Sequence, residues 1–154
     1  MLSFFFIFAY LKVVGMNRIE YIVCAKTQYD IQSPFMFDLY NNVIAPRLDK
    51  ATLERLHIAS NDRFGQLCYK LADYYHATAA DPCPTLPGAD KTLKDPDGSL
   101  IGLVRNPHRN KDSEEAWEKL FKELDVTLSV DLYDIGLLFT SKKLSKQHIL
   151  FRIL

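Results

Sequence analysis

The sequence predicts a reduced α/β domain, equally describable as α+β, with helices at the N-terminus and a small mixed sheet whose C-terminal strands run antiparallel. Three observations predict it. Residues 17–78 carry apolar side chains at helical spacing, residues 79–109 are rich in Pro, Gly, Asp and Lys around one apolar run, "SLIGLV", and the last stretch alternates as short strands do. A sheet of about four strands follows on pattern and base rates.

The helices come first. In "SPFMFDLYNNVIAPRL", Ser33 is placed to cap and Pro34 to occupy the first helical position, which satisfies orphan amides and presets the backbone angle. Phe35, Leu39 and Val43, with Phe37 and Ile44 on the flank, form its expected apolar face. Asp62 is the expected cap of "RFGQLCYKLADYYHAT", whose inner side carries Phe64, Leu67, Leu71 and either Tyr74 or Tyr75. Such aromatic stripes are what helices use to pack.

"DPDGS" is a turn that delivers "SLIGLV" to the sheet, Pro presetting one angle and Gly tolerating a positive one. The segment "KDSEEAWEKLFKEL" then predicts a helix with Ala116, Trp117, Leu120, Phe121 and Leu124 on one side, and Glu114, Glu118 and Lys122 as charge pairs on the other. "VTLSVDL", "IGLLFTS" and "HILFRIL" are the last three strands, and their short links favour antiparallel neighbours. Asp131 and Asp134, flanking Tyr133, are expected as turn formers.

Composition narrows the function. Nineteen basic and nineteen acidic side chains in 154 residues leave no net field to steer a polyanion, so no nucleic-acid partner is expected. The most basic stretch, "TSKKLSKQH", predicts a solvated turn between strands. Three cysteines, Cys24, Cys68 and Cys83, match no zinc knuckle and no CxxC pair, and are expected as reduced thiols of a cytoplasmic protein. Ser33, Ser60, Ser99 and Ser129 sit in no GxSxG elbow, and His57, His76, His108 and His148 show no HExxH spacing. "GADKT" lacks the spacing of a phosphate-binding loop, which leaves Lys91 and Thr92 without that role. No metal site is expected.

"MLSFFFIFAYLKVVG" is an apolar extension, too short for a bilayer, which needs about twenty residues. Met16 opens the polar, globular pattern, so residues 1–15 are expected to be an extension from a miscalled start and 16–154 a single domain. No membrane contact follows unless residues 1–15 are genuine, in which case they form a buried element or a weak anchor.

Two stretches resemble class I S-adenosylmethionine-dependent methyltransferases of the kind common in Bacteroidetes bacteria. "QYDIQSPFMFDLYNNVI" is similar to that family's opening, and "NPHRNKDSEEAWEKLFKELDVTLSVDLYDIGLLFTSKKLSKQHILFRI" to its C-terminal half: a helix centred on "EEAW", a strand ending in "DL", and "GL" opening the antiparallel strand. "FGQLCYKLADYYHAT" looks like the helix leading into the first strand of the nucleotide-binding sheet. The resemblance implies a remnant of a Rossmann-like methyltransferase.

It also implies what is missing. The family continues from that helix into a buried strand, a glycine-rich turn for the methyl donor and an acidic residue for its ribose. This chain has "ADPCPTLPGADKT", where Pro82, Pro84 and Pro87 deny amide donors and central-strand pairing. No cofactor-binding residue and no cofactor are therefore expected, with S-adenosylmethionine the cofactor if the protein is active. At "VRNPHRNK" the family carries an acidic pair before Ile-His-Trp, and Arg105 and Asn106 stand here in place of the carboxylates. His108, aligned with that histidine, is the candidate catalytic residue, able in principle to serve as a general base near neutral pH. A lone histidine after proline in a polar loop is otherwise expected at the surface.

Three functions follow as expectations: a shortened, donor-free methyltransferase-like protein that persists through a protein partner or as a decaying product; an active methyltransferase with an atypical or intersubunit cofactor site; and an unrelated small α+β interaction module. A sheet this small leaves an unpaired edge, and a homodimer joined through such edges is a further expectation.

Overall fold

The computed structural model describes residues 18–27, 33–80, 86–122 and 125–152. The 1–15 extension, Cys83, Pro82, Pro84 and Leu124 lie outside them. Helix α1 spans Arg18–Cys24, α2 Pro34–Leu39, α3 Lys50–Leu56, α4 Arg63–Tyr75 and α5 Lys111–Lys122.

The caps fall where local chemistry puts them. Ser33 Oγ accepts from Met36 N at 3.4 Å with Pro34 opening α2, Asp49 caps α3 through Thr52 N, and Asp62 caps α4 through Gly65 N. Past Leu39 the helix widens into a π turn, Tyr40–Ile44, closed by Ala45 N on Tyr40 O. Its inner face is Met36, Leu39, Val43 and Ile44, while Phe37, expected on the flank of that face, is 61% exposed. Phe35 sits half-buried, edge-on to Phe139. On α4, Phe64, Leu67 and Leu71 are buried, Tyr75 packs against the same core, and Tyr74 reaches out to Asp38.

Among the described residues the sheet contains the four expected strands and two more. β1 is Thr78–Ala79, β2 Lys91–Lys94, β3 Leu100–Arg105, β4 Leu128–Asp131, β5 Ile135–Phe139 and β6 Gln147–Leu150, in the order β1-β2-β3-β5-β4-β6. All neighbours are antiparallel except β4 and β6. The β4–β5 hairpin is as expected, but β6 does not pair with β5. Both edges of β5 are occupied, by β3 and β4, so the strand that follows must pass to the outer edge of β4, where its reversed direction makes it parallel. Beyond it, Lys26 bridges to Phe151, its N–H donating to Leu150 O and its carbonyl accepting from Arg152 N, both at 2.7 Å.

Both faces of the sheet are covered, which is why "IGLLF" is buried at every position. Toward α2 and α4 point Ile101, Leu103, Leu128, Val130, Leu137, Phe139, Ile149 and Phe151. Toward α5 point Val104 and Leu138, packed with Leu86, Trp117, Leu120 and Val126. Gly136 lets α5 settle, because a Cβ there would come within 2.6 Å of the Trp117 ring. Ala116, expected on the inner side of α5, is exposed.

Candidate functional site

β3 runs parallel to β4, with β5 between them and α5 carrying the chain across. Their carboxyl ends therefore lie at the same end of the sheet, on either side of the start of β5, and it is outside such carboxyl ends that open α/β sheets hold ligands. Past Arg105 the chain turns sharply: Asn106 takes a positive φ of 44° and its N–H donates to Asp134 O, and Arg109 N closes the turn on Asn106 O. Asn110 then caps α5 by accepting from Ser113 N at 2.8 Å. This path folds His108 back over the sheet end.

His108 is not at the surface. Its side chain is 5% exposed and wedged between two carboxylates, Nδ1 at 2.7 Å from Glu114 Oε1 and Nε2 at 2.5 Å from Asp131 Oδ2. Only a doubly protonated ring donates to both. Burial disfavours that charge, but the hydrogen bonds and negative charges of Asp131 and then Glu114 outweigh it, and the pKa of His108 is raised above the ordinary imidazole value of 6.5. Trp117 Nε1 donates to the same Asp131 Oδ2 at 3.2 Å, and Tyr133 N to Asp131 Oδ1 at 2.8 Å.

Aromatic rings close the top. Tyr133 stacks on His108 with centroids 5.2 Å apart, Tyr21 tilts against Tyr133 at 5.1 Å, and the Arg18 guanidinium lies over Tyr133. The Tyr21 hydroxyl donates to the carbonyls of Asp131 and Phe151, and burial, then the charges of Asp131 and Asp134, push its pKa well up. Tyr133 itself sits at φ 74°, costly for a bulky side chain, and is kept there by the Asp131 carboxylate and the imidazole stack.

A second polar pair continues along the same face. Ser129, 1% exposed, faces His148 in the β4–β6 register, with Oγ 2.6 Å from Nδ1, and the His148 ring stacks on Phe121 at 3.9 Å. Burial lowers the pKa of His148, against the pull of Asp131. Among the described residues no group of three or more His, Cys, Asp and Glu side chains is placed to hold a metal ion.

Several sequence expectations change here. Asp131 does form a turn, but it is also the buried hub of the cluster, and Glu114, expected in a surface charge pair, points inward to His108. Only the Glu118–Lys122 part of that pairing stays on the surface, at 3.7 Å. Arg105 and Asn106 do not join the cluster: Arg105 lies over the Phe64 ring at 3.8 Å, on the α4 side. Asp134 pairs with Arg63. His57 and His76 end α3 and α4 in the left-handed conformation, and Ser99 belongs to the Asp95–Ser99 turn. Lys91 and Thr92 are consecutive residues of β2.

As chemistry, the cluster is a closed ion set. A general base needs a nitrogen lone pair facing the proton it takes, and each nitrogen of His108 faces a carboxylate instead. His108 lines neither the cleft beside α4 nor the one beside the Asp95–Ser99 turn. No protein-family model, curated protein or solved structure matches the chain. Among the described residues, no helix is long and apolar enough to cross a membrane.

Proposed function

We propose that the chain is a methyltransferase-like protein that has kept the C-terminal half of that fold, does not bind the methyl donor, and acts through a partner rather than by catalysis, in the cytoplasm. The observation that carries this is the strand after α4. Where the family resemblance calls for a buried central strand and a glycine turn, α4 runs into β1, two exposed residues at the sheet edge, antiparallel to β2. An edge of that length offers no carboxyl-terminal crevice for a nucleoside.

Two further features support the reading. The order β3, α5, β4, β5, with β5 antiparallel between the other two, agrees with the helix, "DL" strand and "GL" antiparallel strand on which the resemblance rests. The packing of α5 on β5 through Trp117 and Gly136 removes one argument for an unrelated module, which a differently placed "EEAW" helix would favour. The partner could be a second copy joined through sheet edges. The β6 edge is already bridged by Lys26, so β1 is the edge this version would use.

Calorimetric titration of the folded protein with S-adenosylmethionine and with its demethylated product tests the proposal. No binding by a protein that is folded by circular dichroism is expected. Micromolar binding of either compound would overturn it in favour of an active enzyme with an atypical or intersubunit donor site.

A further inference from the structure

A cleft of about 690 Å3 opens on the face of the sheet opposite α5, between the π turn, the segment leading into α3, and α4. Its volume is in the range that holds small organic ligands. Ile44, Leu53, Leu67, Leu132 and Ile135 give it apolar walls, and Arg47, Arg63 and Lys70 are among the residues that line it. No acidic side chain is among the described residues that line it.

The three cations are not equally committed. Arg63 is paired with Asp134. Lys70 Nζ donates to the carbonyls of Ile44 and Pro46, at 3.3 and 3.0 Å, and among the described residues no carboxylate pairs with its charge. Burial, then the nearby charge of Arg63, lowers its pKa, the response of a cation in surroundings short of negative charge. Arg47 stands exposed at the rim. Among the described residues that line the cleft, the three cations face no acidic side chain, and Asp134, outside the lining, pairs with Arg63. The π turn contributes Tyr40 and Ile44 to the wall, and such widened turns recur at functional sites.

We propose that this cleft binds a small organic anion, a carboxylate or phosphate monoester whose head lies between Arg47 and Lys70 and whose apolar body lies on Leu132 and Ile135. The site is independent of the methyl-donor question, since it lies across the sheet from the His108 cluster and needs no nucleoside.

The test is a fluorescence titration of the full chain with 2-naphthoate, 2-naphthyl phosphate and the neutral 2-naphthylmethanol. One-to-one binding of at least one anion is expected, at least tenfold tighter than the alcohol, and whichever anion binds tighter identifies the head group. Arg47→Gln should weaken it about tenfold, the loss of one charge-assisted contact worth about 1.4 kcal/mol, with an unchanged melting temperature. Lys70→Gln, which keeps a donor for the Ile44 and Pro46 carbonyls, should weaken it at least as much. No binding of either anion, equal binding of the alcohol, or full affinity in Arg47→Gln would each overturn the proposal.

Discussion

The two faces of the sheet solve burial differently. On the α2 and α4 side, aliphatic and aromatic groups fill the space, with alternatives close at hand: Met36 takes the place expected of a neighbour, and Phe37 swings to solvent. On the α5 side, Asp131 is met by the His108 imidazole, an indole N–H and a backbone N–H, and Glu114 takes the other nitrogen of His108. Apolar packing tolerates exchange of shapes at constant volume, whereas a buried charge set tolerates the loss of no member.

The largest expected effect is on the charged face. Asp131→Asn keeps the size but removes the charge, leaving His108 with one carboxylate and Trp117 with a weaker acceptor. It should cost about 3–5 kcal/mol in urea unfolding. A cost below about 1 kcal/mol would erase the distinction between the faces.

A smaller, graded effect belongs to pH. The folded pKa of His108 lies above its unfolded value near 6.5, so its contribution to stability is complete below 6.5 and is lost as pH rises through the folded value. His148, lowered by burial, contributes with the opposite sign, losing stability as pH falls below 6.5. Subtracting the stability of His108→Gln from that of the unaltered protein between about pH 5 and 9 removes most of the His148 contribution. The gap should be widest at the acidic end and narrow toward the alkaline end. A gap that widens with pH would mean that the histidine is buried neutral. The smallest effect is expected on the apolar face, where Leu71→Met, at a fully buried position, should cost less than about 1.5 kcal/mol. A loss as large as that of Asp131→Asn would mean that this face is as strictly specified as the other.

The same difference explains what could be read from the sequence. Caps at Ser33 and Asp62, the α4 and α5 helices and four strands announce themselves through neighbours within a turn or along one strand. β2 does not, because "KTLK" is short and charged at both ends. It is a strand because β3 offers an edge, with Asp90 N on Leu103 O extending the pairing. The sequence offers His108 as a candidate, but not its partners. Asp131 lies 23 residues further on and Glu114 fits a surface i,i+4 pattern as well as an inward one. The available signals were an aspartate at a strand's carboxyl end and a glutamate in the first turn of the helix before it, and they become meaningful only once β3 and β4 are known to be parallel.

The first and the last of the described elements are tied together. The Tyr21 hydroxyl bonds to Phe151 across 130 residues, and Lys26 is stitched to Leu150 and Arg152. On a ribosome making about 5–20 residues per second, α1 emerges before the sheet and waits on the order of ten seconds for the strand it docks against. Until then the outer edge of β4 is bare, a template for pairing with other nascent chains. Biosynthesis therefore exposes this part of the molecule to misassembly until β6 is made, and a premature stop that removes β6 deprives α1 of its docking strand as well.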